Sequence, residues 1–319
     1  MNGIIPLEFI AMIQLQEILG NLRRRDSRAI GRAISLIENQ LEGSRELLDA
    51  LEESSPGDSI FLGVTGAPGS GKSTLTNQLV ARYRGAQHRV GIVAVDPSSP
   101  KTGGALLGDR IRLMAHARDP DVVVRSMATR SRLGGLCAAA RGAARIMEYS
   151  GCERVILETV GVGQSEMDVA RIADLTLLVL APGMGDDIQA MKAGIVEMAD
   201  ILVVNKSDQP GADRLAQEME AVARERGQPV CLTDALTPTG VEALVQTIDK
   251  VALALEQTGE RRVRRQGARE FEILDCAVEL IRPRLAAQLK LLTGVKGDRR
   301  EVAERIVDSL CLGECLNMR

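Results

Sequence analysis

The residues best suited to chemistry lie in one run, Gly66-Ala67-Pro68-Gly69-Ser70-Gly71-Lys72-Ser73, which fits the spacing G-x-x-x-x-G-K-[ST]. Glycines at 66, 69 and 71 let the backbone turn its N–H groups inward and approach phosphate oxygens closely. The spacing gives Lys72 the β- and γ-phosphates, and Ser73 a hydroxyl for Mg²⁺. Thr74 continues into a predicted helix whose N-terminus adds partial positive charge at the same spot. An apolar run from Ile60 to Val64 precedes the loop. Strand, glycine-rich loop and helix together are the context in which this pattern means phosphate binding rather than a turn.

Two later strands end on acids. Arg89 to Asp96 reads as a buried parallel strand, and Arg154 to Glu158 as another. Ligands of open α/β sheets sit at the carboxyl ends of strands, so Asp96 and Glu158 are candidates for Mg²⁺ or its waters. Between them, Ser98 to Arg110 is rich in Ser, Pro and Gly and carries Asp109, a third candidate metal ligand. Such a loop beside a γ-phosphate is suited to order around nucleotide and relax after hydrolysis. After Glu158 the chain reads Thr159-Val160-Gly161-Val162-Gly163-Gln164-Ser165-Glu166. Gly161 supplies a backbone N–H for the γ-phosphate. Val162 stands where Ras-like enzymes carry the glutamine that orients the attacking water, and an apolar side chain cannot do that. Gln164 is the candidate in its place, and slow intrinsic hydrolysis accelerated by a partner is expected.

Asn205-Lys206-Ser207-Asp208 follows an apolar strand, Ile201 to Val204. N-K-x-D in that position selects guanine. The Asp208 carboxylate accepts from N1–H and the 2-amino group together, and adenine offers neither donor there. Lys206 is expected along the base plane and Asn205 between loops. Asp234-Ala235 then stands where such proteins usually show Ser-Ala, whose backbone meets guanine O6.

These loops require a mostly parallel sheet flanked by helices. Further strands are predicted at Asp121–Ser126, Leu175–Ala181 and Pro229–Thr233, and helices at Arg130–Tyr149 and from Gly240. Residues 1–55 read as a helical N-terminal segment packed on a G domain at 56–256, with a helical C-terminal arm at 257–319. Ile30, Ala33, Ile34 and Ile37 recur at helical spacing after Asp26 or Ser27, either of which can cap. In the arm, Phe271, Leu274, Ala277, Val278 and Ile281 form an apolar stripe that needs a partner, its own domain or a second subunit. Pro283 is expected to kink that helix. The charged stretch Arg261 to Arg265 reads as a solvated helix face.

Bulk properties bound the class. The 319 residues are 45% hydrophobic and 26% charged, as in a soluble globular protein. A net charge of −3 and an aromatic content of 2% argue against a nucleic-acid partner. The six cysteines form no C-x-x-C pair, and with only two histidines, His88 and His116, a structural zinc site is not expected. A reducing, cytoplasmic setting fits. The first twenty residues carry Glu8 and Glu17 and lack a basic start, unlike a signal peptide, and no apolar run is long enough to cross a membrane.

Taken together, GAPGSGKST, AVDPSSP, TGGALLGDR, ETVGVGQSE, GDDIQAMKAGI and NKSD, in this order, resemble the MeaB/ArgK family of GTPases over about residues 26 to 290. That family serves adenosylcobalamin-dependent acyl-CoA mutases such as methylmalonyl-CoA mutase as G-protein chaperones. The resemblance implies GTP/GDP and Mg²⁺ as ligands, and a homodimer with contacts through the C-terminal arm. It also implies GTP hydrolysis as the signal that gates cofactor loading and protects or reactivates the mutase. By motif, Asp96, Asp109 and Glu158 match its Mg²⁺-associated acids, Gln164 its second switch, and Gly185 through Lys192 a further switch that meets the mutase. Lys101, Asp234 and the final CLGECLNMR depart from the family pattern. Two other classes share the phosphate loop. A nickel-insertion metallochaperone GTPase would show a Cys/His-rich segment, and a small-molecule kinase would not need N-K-S-D.

Overall fold

The structure, a computed structural model, describes residues 7–54, 57–96, 116, 118–128, 135–159, 165–184, 194–291 and 298–316. Three helices come first: α1 (Leu7–Arg23), α2 (Ser27–Glu38) and α3 (Ser44–Ser54). Then follow β1 (Ile60–Thr65), α4 (Lys72–Gly85), β2 (Val90–Asp96), β3 (Val122–Ala128), α5 (Gly135–Tyr149), β4 (Arg154–Thr159) and α6 (Ser165–Ile172). The sheet continues through β5 (Leu175–Leu180), α7 (Ile195–Met198), β6 (Ile201–Val204), α8 (Ala212–Ala223) and β7 (Val230–Leu232). Helices α9 (Val241–Gln257), α10 (Glu260–Leu291) and α11 (Arg299–Leu316) end the chain. The chain divides into two compact units, Met1–Ala268 and Arg269–Arg319.

The seven strands lie in the order β3-β2-β4-β1-β5-β6-β7, all parallel. From β1 the chain moves outward to one side and later, at β5, to the other. That reversal opens a crevice at the carboxyl ends of the central strands, where a doubly wound sheet binds its ligand. Alternation along the strands divides the core. Ile60, Leu62 and Val64 pack with Leu75, Leu79 and Leu244 under α4 and α9. On the far side, Leu178, Leu180, Leu202 and Val204 pack with Leu215 and Met219 of α8. The strands are apolar on both faces because helices cover both.

Asp26 rather than Ser27 caps α2, its side chain accepting from the N–H groups of Arg28 and Ala29. The buried face of α2 is Ile30, Ala33, Ile34 and Ile37, as the periodicity predicts. It packs on α5, where a Cβ on Gly142 would come within 2.9 Å of Ile37 Cγ2. Glycine there lets the helices approach closely. No helix among the described residues is long and apolar enough to cross a membrane.

The arginine-rich stretch is not a solvated face. It forms the first turns of α10, and three of its side chains are held under the sheet. Arg265 donates Nε to Asp174 Oδ1 and Nη2 to Asp174 Oδ2, both at 2.7 Å. It also reaches Ser59 O at 2.6 Å and Glu148 Oε1 at 3.1 Å, and its guanidinium lies 4.7 Å from the Phe61 ring centroid. Arg264 bonds the Asp174 carbonyl and Asp200, and Arg261 bonds the Gly57 carbonyl. Burial alone would lower the pKa of Arg265; Asp174 and Glu148 raise it instead. Charge counting along the sequence misses this because the acids that pair with these arginines are up to 117 positions away.

In the second unit the apolar stripe of α10 is open: Leu274 is 66% exposed and Val278 52%. Pro283 lies inside a helix that runs on to Leu291 without a break.

Replacing Arg265 by Ala leaves the buried Asp174 carboxylate without its cation. Urea unfolding should show a loss of about 3–5 kcal/mol, the cost of removing one partner from a buried ion pair. The neighbouring exposed Arg262→Ala should stay within about 0.5 kcal/mol, and equal effects from both would refute the buried network.

Candidate functional site

The loop after β1 is built by its glycines. Gly66 has φ 138° and Gly71 φ 93°, both in the left-handed range that favours glycine. Space restricts them as well. A Cβ on Gly66 would lie 2.1 Å from the Val179 carbonyl oxygen, and one on Gly71 2.3 Å from Asn205 Nδ2. Gly71 is the N-cap of α4 and brings no side chain to the helix's first N–H groups. Those donors, with the helix dipole, are what an anion needs. Pro68, Gly69 and Ser70 complete the turn, in which Ser70 N–H donates to Ala67 O at 3.2 Å.

Lys72, the first residue of α4, is 5% exposed. Its Nζ donates to the carbonyls of Gly66 at 2.7 Å and Ala67 at 2.9 Å, so the ammonium is folded back over the loop it serves. Ser73 donates its hydroxyl to Glu158 Oε1 at 2.5 Å, joining the loop helix to the end of β4. Glu158 is buried and lies in register with Val64 of β1 and Ala94 of β2. A hydroxyl and a buried carboxylate in contact, both hard oxygen donors, fit a Mg²⁺ ligand pair. Asp96 ends β2, one position beyond the Val95–Thr159 pair, so its backbone stands at the same rim. Asp109, Gly161, Gln164 and the stretch from Gly185 through Lys192 lie outside the described residues.

At the other end of the crevice Asn205 is almost wholly buried and holds three segments. Its Nδ2 donates to Ser70 O at 2.8 Å, and its Oδ1 accepts from Thr233 Oγ1 and from the Ala235 N–H, each at 3.1 Å. The tie between loops expected of Asn205 is therefore present. Ala235 N–H, expected toward guanine O6, is engaged by Asn205 in this state. Lys206 takes φ 57°, and the turn that follows leaves Asp208 exposed. Asp234 points into its own turn. Its carboxylate accepts from Thr237 Oγ1 and from the Leu236 N–H, and these bonds hold its pKa below the usual range. It therefore builds the loop locally, a task a serine can also perform.

Two residues outside the sequence-based set belong to the site. Gln78 Nε2 donates to Ala235 O at 3.0 Å, tying α4 to the base loop. Glu166, in the first turn of α6, is 7% exposed, and its Oε1 has no hydrogen-bond partner. Burial raises its carboxyl pKa, and the nearby Lys72 charge opposes the rise. Its helical spacing gave a signal: Glu166 shares a face with Val169 and Ala173, so an acid sits on the apolar stripe.

Comparison with known proteins agrees with this geometry. Residues 30–290 match the family described as Methylmalonyl Co-A mutase-associated GTPase MeaB. A Pyrococcus abyssi protein named as a GTPase is 40% identical over 301 residues, covering 92% of this chain and 91% of its own. GTPase ArgK of Escherichia coli K12 is 35% identical over 272 residues, covering 81% and 82%. A crystal structure of an LAO/AO transport system kinase superposes with a TM-score of 0.70 at 24% identity, covering 97% of this chain and 99% of that one, which shows the shared fold. With a family match across most of its length and the phosphate and base loops joined in one crevice, the chain belongs to the MeaB family of GTPases.

Proposed function

We propose that this GTPase works as a nucleotide-controlled chaperone for an adenosylcobalamin-dependent acyl-CoA mutase. The observation that carries the reading is the Asn205 junction, which ties the phosphate loop at Ser70 to the base loop at Ala235. A pocket joined in this way senses base and phosphates as one ligand. Lys72 and the backbone N–H groups of residues 66–74 other than Pro68 hold the phosphates, and Asp208 reads guanine with Lys206 along the base. Ser73 and Glu158, with Asp96 and Asp109, hold Mg²⁺, which when bound neutralises charge on the β- and γ-phosphates. The family's description names methylmalonyl-CoA mutase as the associated enzyme, and that supports a mutase of this class as the partner. Gly161 and Gln164 belong to the segment that responds to the γ-phosphate, and Gly185 through Lys192 to the one that meets the mutase. We place the chain in the cytoplasm, without membrane or nucleic acid.

The open stripe of α10 supports a homodimer formed through the arm, from residue 257 onward. Four apolar side chains, Ile273, Leu274, Val278 and Ile281, are 59%, 66%, 52% and 43% exposed. A run of this kind on a helix marks an interaction surface. Leu274→Asp with Val278→Asp should convert a dimer to a monomer in sedimentation velocity while GTP binding persists; an unchanged sedimentation coefficient would remove the arm from the interface.

Asp208→Asn should weaken GTP binding by at least about tenfold, because the amide cannot accept from both guanine donors. The same substitution should improve binding of xanthosine triphosphate, and a titration showing unaltered selectivity would remove Asp208 from base reading.

Intrinsic hydrolysis should be slow, on the order of 10⁻⁴ to 10⁻² s⁻¹. A pull-down with GTP-loaded protein should retain a cobalamin-dependent mutase, and that mutase should accelerate turnover. Fast turnover by the isolated chain, or retention of no cobalamin enzyme in any nucleotide state, would refute the chaperone role.

A further inference from the structure

Glu166 takes no part in the phosphate, metal or base contacts, and its Oε1 is left without a partner. Its helix, α6, packs on the face of the sheet opposite α4: Val169 Cγ1 and Ala173 Cβ would lie 3.2 and 3.0 Å from a Cβ placed on Gly63 of β1. Glu166 stands one turn before Val169 on the same helix face, nearer the carboxyl end of the sheet. The next residue of β1 on that face is Thr65. Since Val64 pairs with Glu158, Thr65 and Thr159 stand side by side on adjacent strands, and alternation turns both toward α6.

Both hydroxyls are buried, and neither Thr65 Oγ1 nor Thr159 Oγ1 has a hydrogen-bond partner. With Glu166 Oε1, three buried oxygens from β1, β4 and α6 are left unsatisfied where β1 passes into the phosphate loop. Each carries a desolvation cost that a partner would remove. The ammonium of Lys72 is bonded to the carbonyls of Gly66 and Ala67 and acts on Glu166 through space. It disfavours a cation among these oxygens. A water, which makes about three hydrogen bonds in such a setting, suits one carboxylate acceptor and two hydroxyls.

We propose that Glu166 is a catalytic residue of GTP hydrolysis: its free carboxylate oxygen accepts a proton from the water that attacks the γ-phosphate. Thr65 and Thr159 orient that water. In the step, the water oxygen bonds to the γ-phosphorus, and the bond from that phosphorus to the β,γ-bridging oxygen breaks. The electron pair of that bond leaves with GDP. The water proton passes to Glu166 and from there to the released phosphate. Burial suits Glu166 to this task, since a carboxyl with a raised pKa is a better proton acceptor. Its position also accounts for Val162: the acceptor stands on the helix after the loop, not in the loop. The proposal rests on Lys72 marking the triphosphate end of the pocket.

The test compares Glu166→Gln and Glu166→Ala in the full chain. Single-turnover hydrolysis with protein in excess should fall by roughly 10²–10³-fold in both. GTP affinity, from titration with a fluorescent guanine nucleotide, should stay within about threefold, the signature of an interaction made only in the transition state. Added formate should restore much of the rate in Glu166→Ala, where it has room, and not in Glu166→Gln. The proposal fails if Glu166→Gln hydrolyses GTP within about threefold of the unaltered chain. It also fails if affinity and rate fall together, which would make Glu166 only the countercharge of Lys72, or if formate leaves Glu166→Ala slow. Loss of GTP binding in the unaltered chain would instead overturn the phosphate-loop reading itself.

Discussion

One buried amide sets the geometry of this molecule's nucleotide crevice. Asn205 donates to the Ser70 carbonyl and accepts from Thr233 and Ala235, so the phosphate loop and the base loop share one side chain. The contact dictates its neighbours. Gly71 must lack a Cβ because Asn205 Nδ2 occupies that space, and Gly66 must lack one because the Val179 carbonyl does. A buried amide held by three hydrogen bonds is rigid, and leaving either end unmet costs a full desolvation penalty. The distance from triphosphate to base is therefore fixed by packing.

The triphosphate end is organised around charge. A buried ammonium is costly in low dielectric unless negative groups surround it. Lys72 meets two carbonyls directly and Glu166 through space, while Glu158 on the opposite face of the sheet is bound by Ser73. Two carboxylates, from β4 and from the helix that follows it, thus flank the loop on separate faces. One is bonded to the Ser73 hydroxyl, and the other has a carboxylate oxygen with no hydrogen-bond partner.

The amino ends of the central strands are held by arginine. Asp174 lies just beyond α6 and accepts from the Phe61 N–H as well as from Arg265. The same short helix therefore has Glu166 at its nucleotide end and the anchor of α10 at the other. Eight residues of helix, with Val169 and Ala173 packed against Gly63, connect the two.

The parts whose chemistry is local can be read from residue order alone. The phosphate loop, the N-K-x-D run, the acids at or near the carboxyl ends of β2 and β4 and the buried stripe of α2 all depend on neighbours within a few residues and were legible, and the cap of α2 was narrowed to Asp26 or Ser27. The parallel sheet followed from apolar runs alternating with helical spacing. Tertiary structure decided whatever depends on residues distant along the chain. Asn205 meets a carbonyl 135 positions away, and Ser73 a carboxylate 85 positions away. The arginines of α10 read as solvated until Asp174, Glu148 and Gly57 were brought beneath them. Glu166 only closed a motif in the sequence until folding buried it and left its Oε1 without a partner. A pattern of types can state which groups are able to bond, but burial and opposition across strands belong to the folded chain, because only folding removes the water that would otherwise satisfy them.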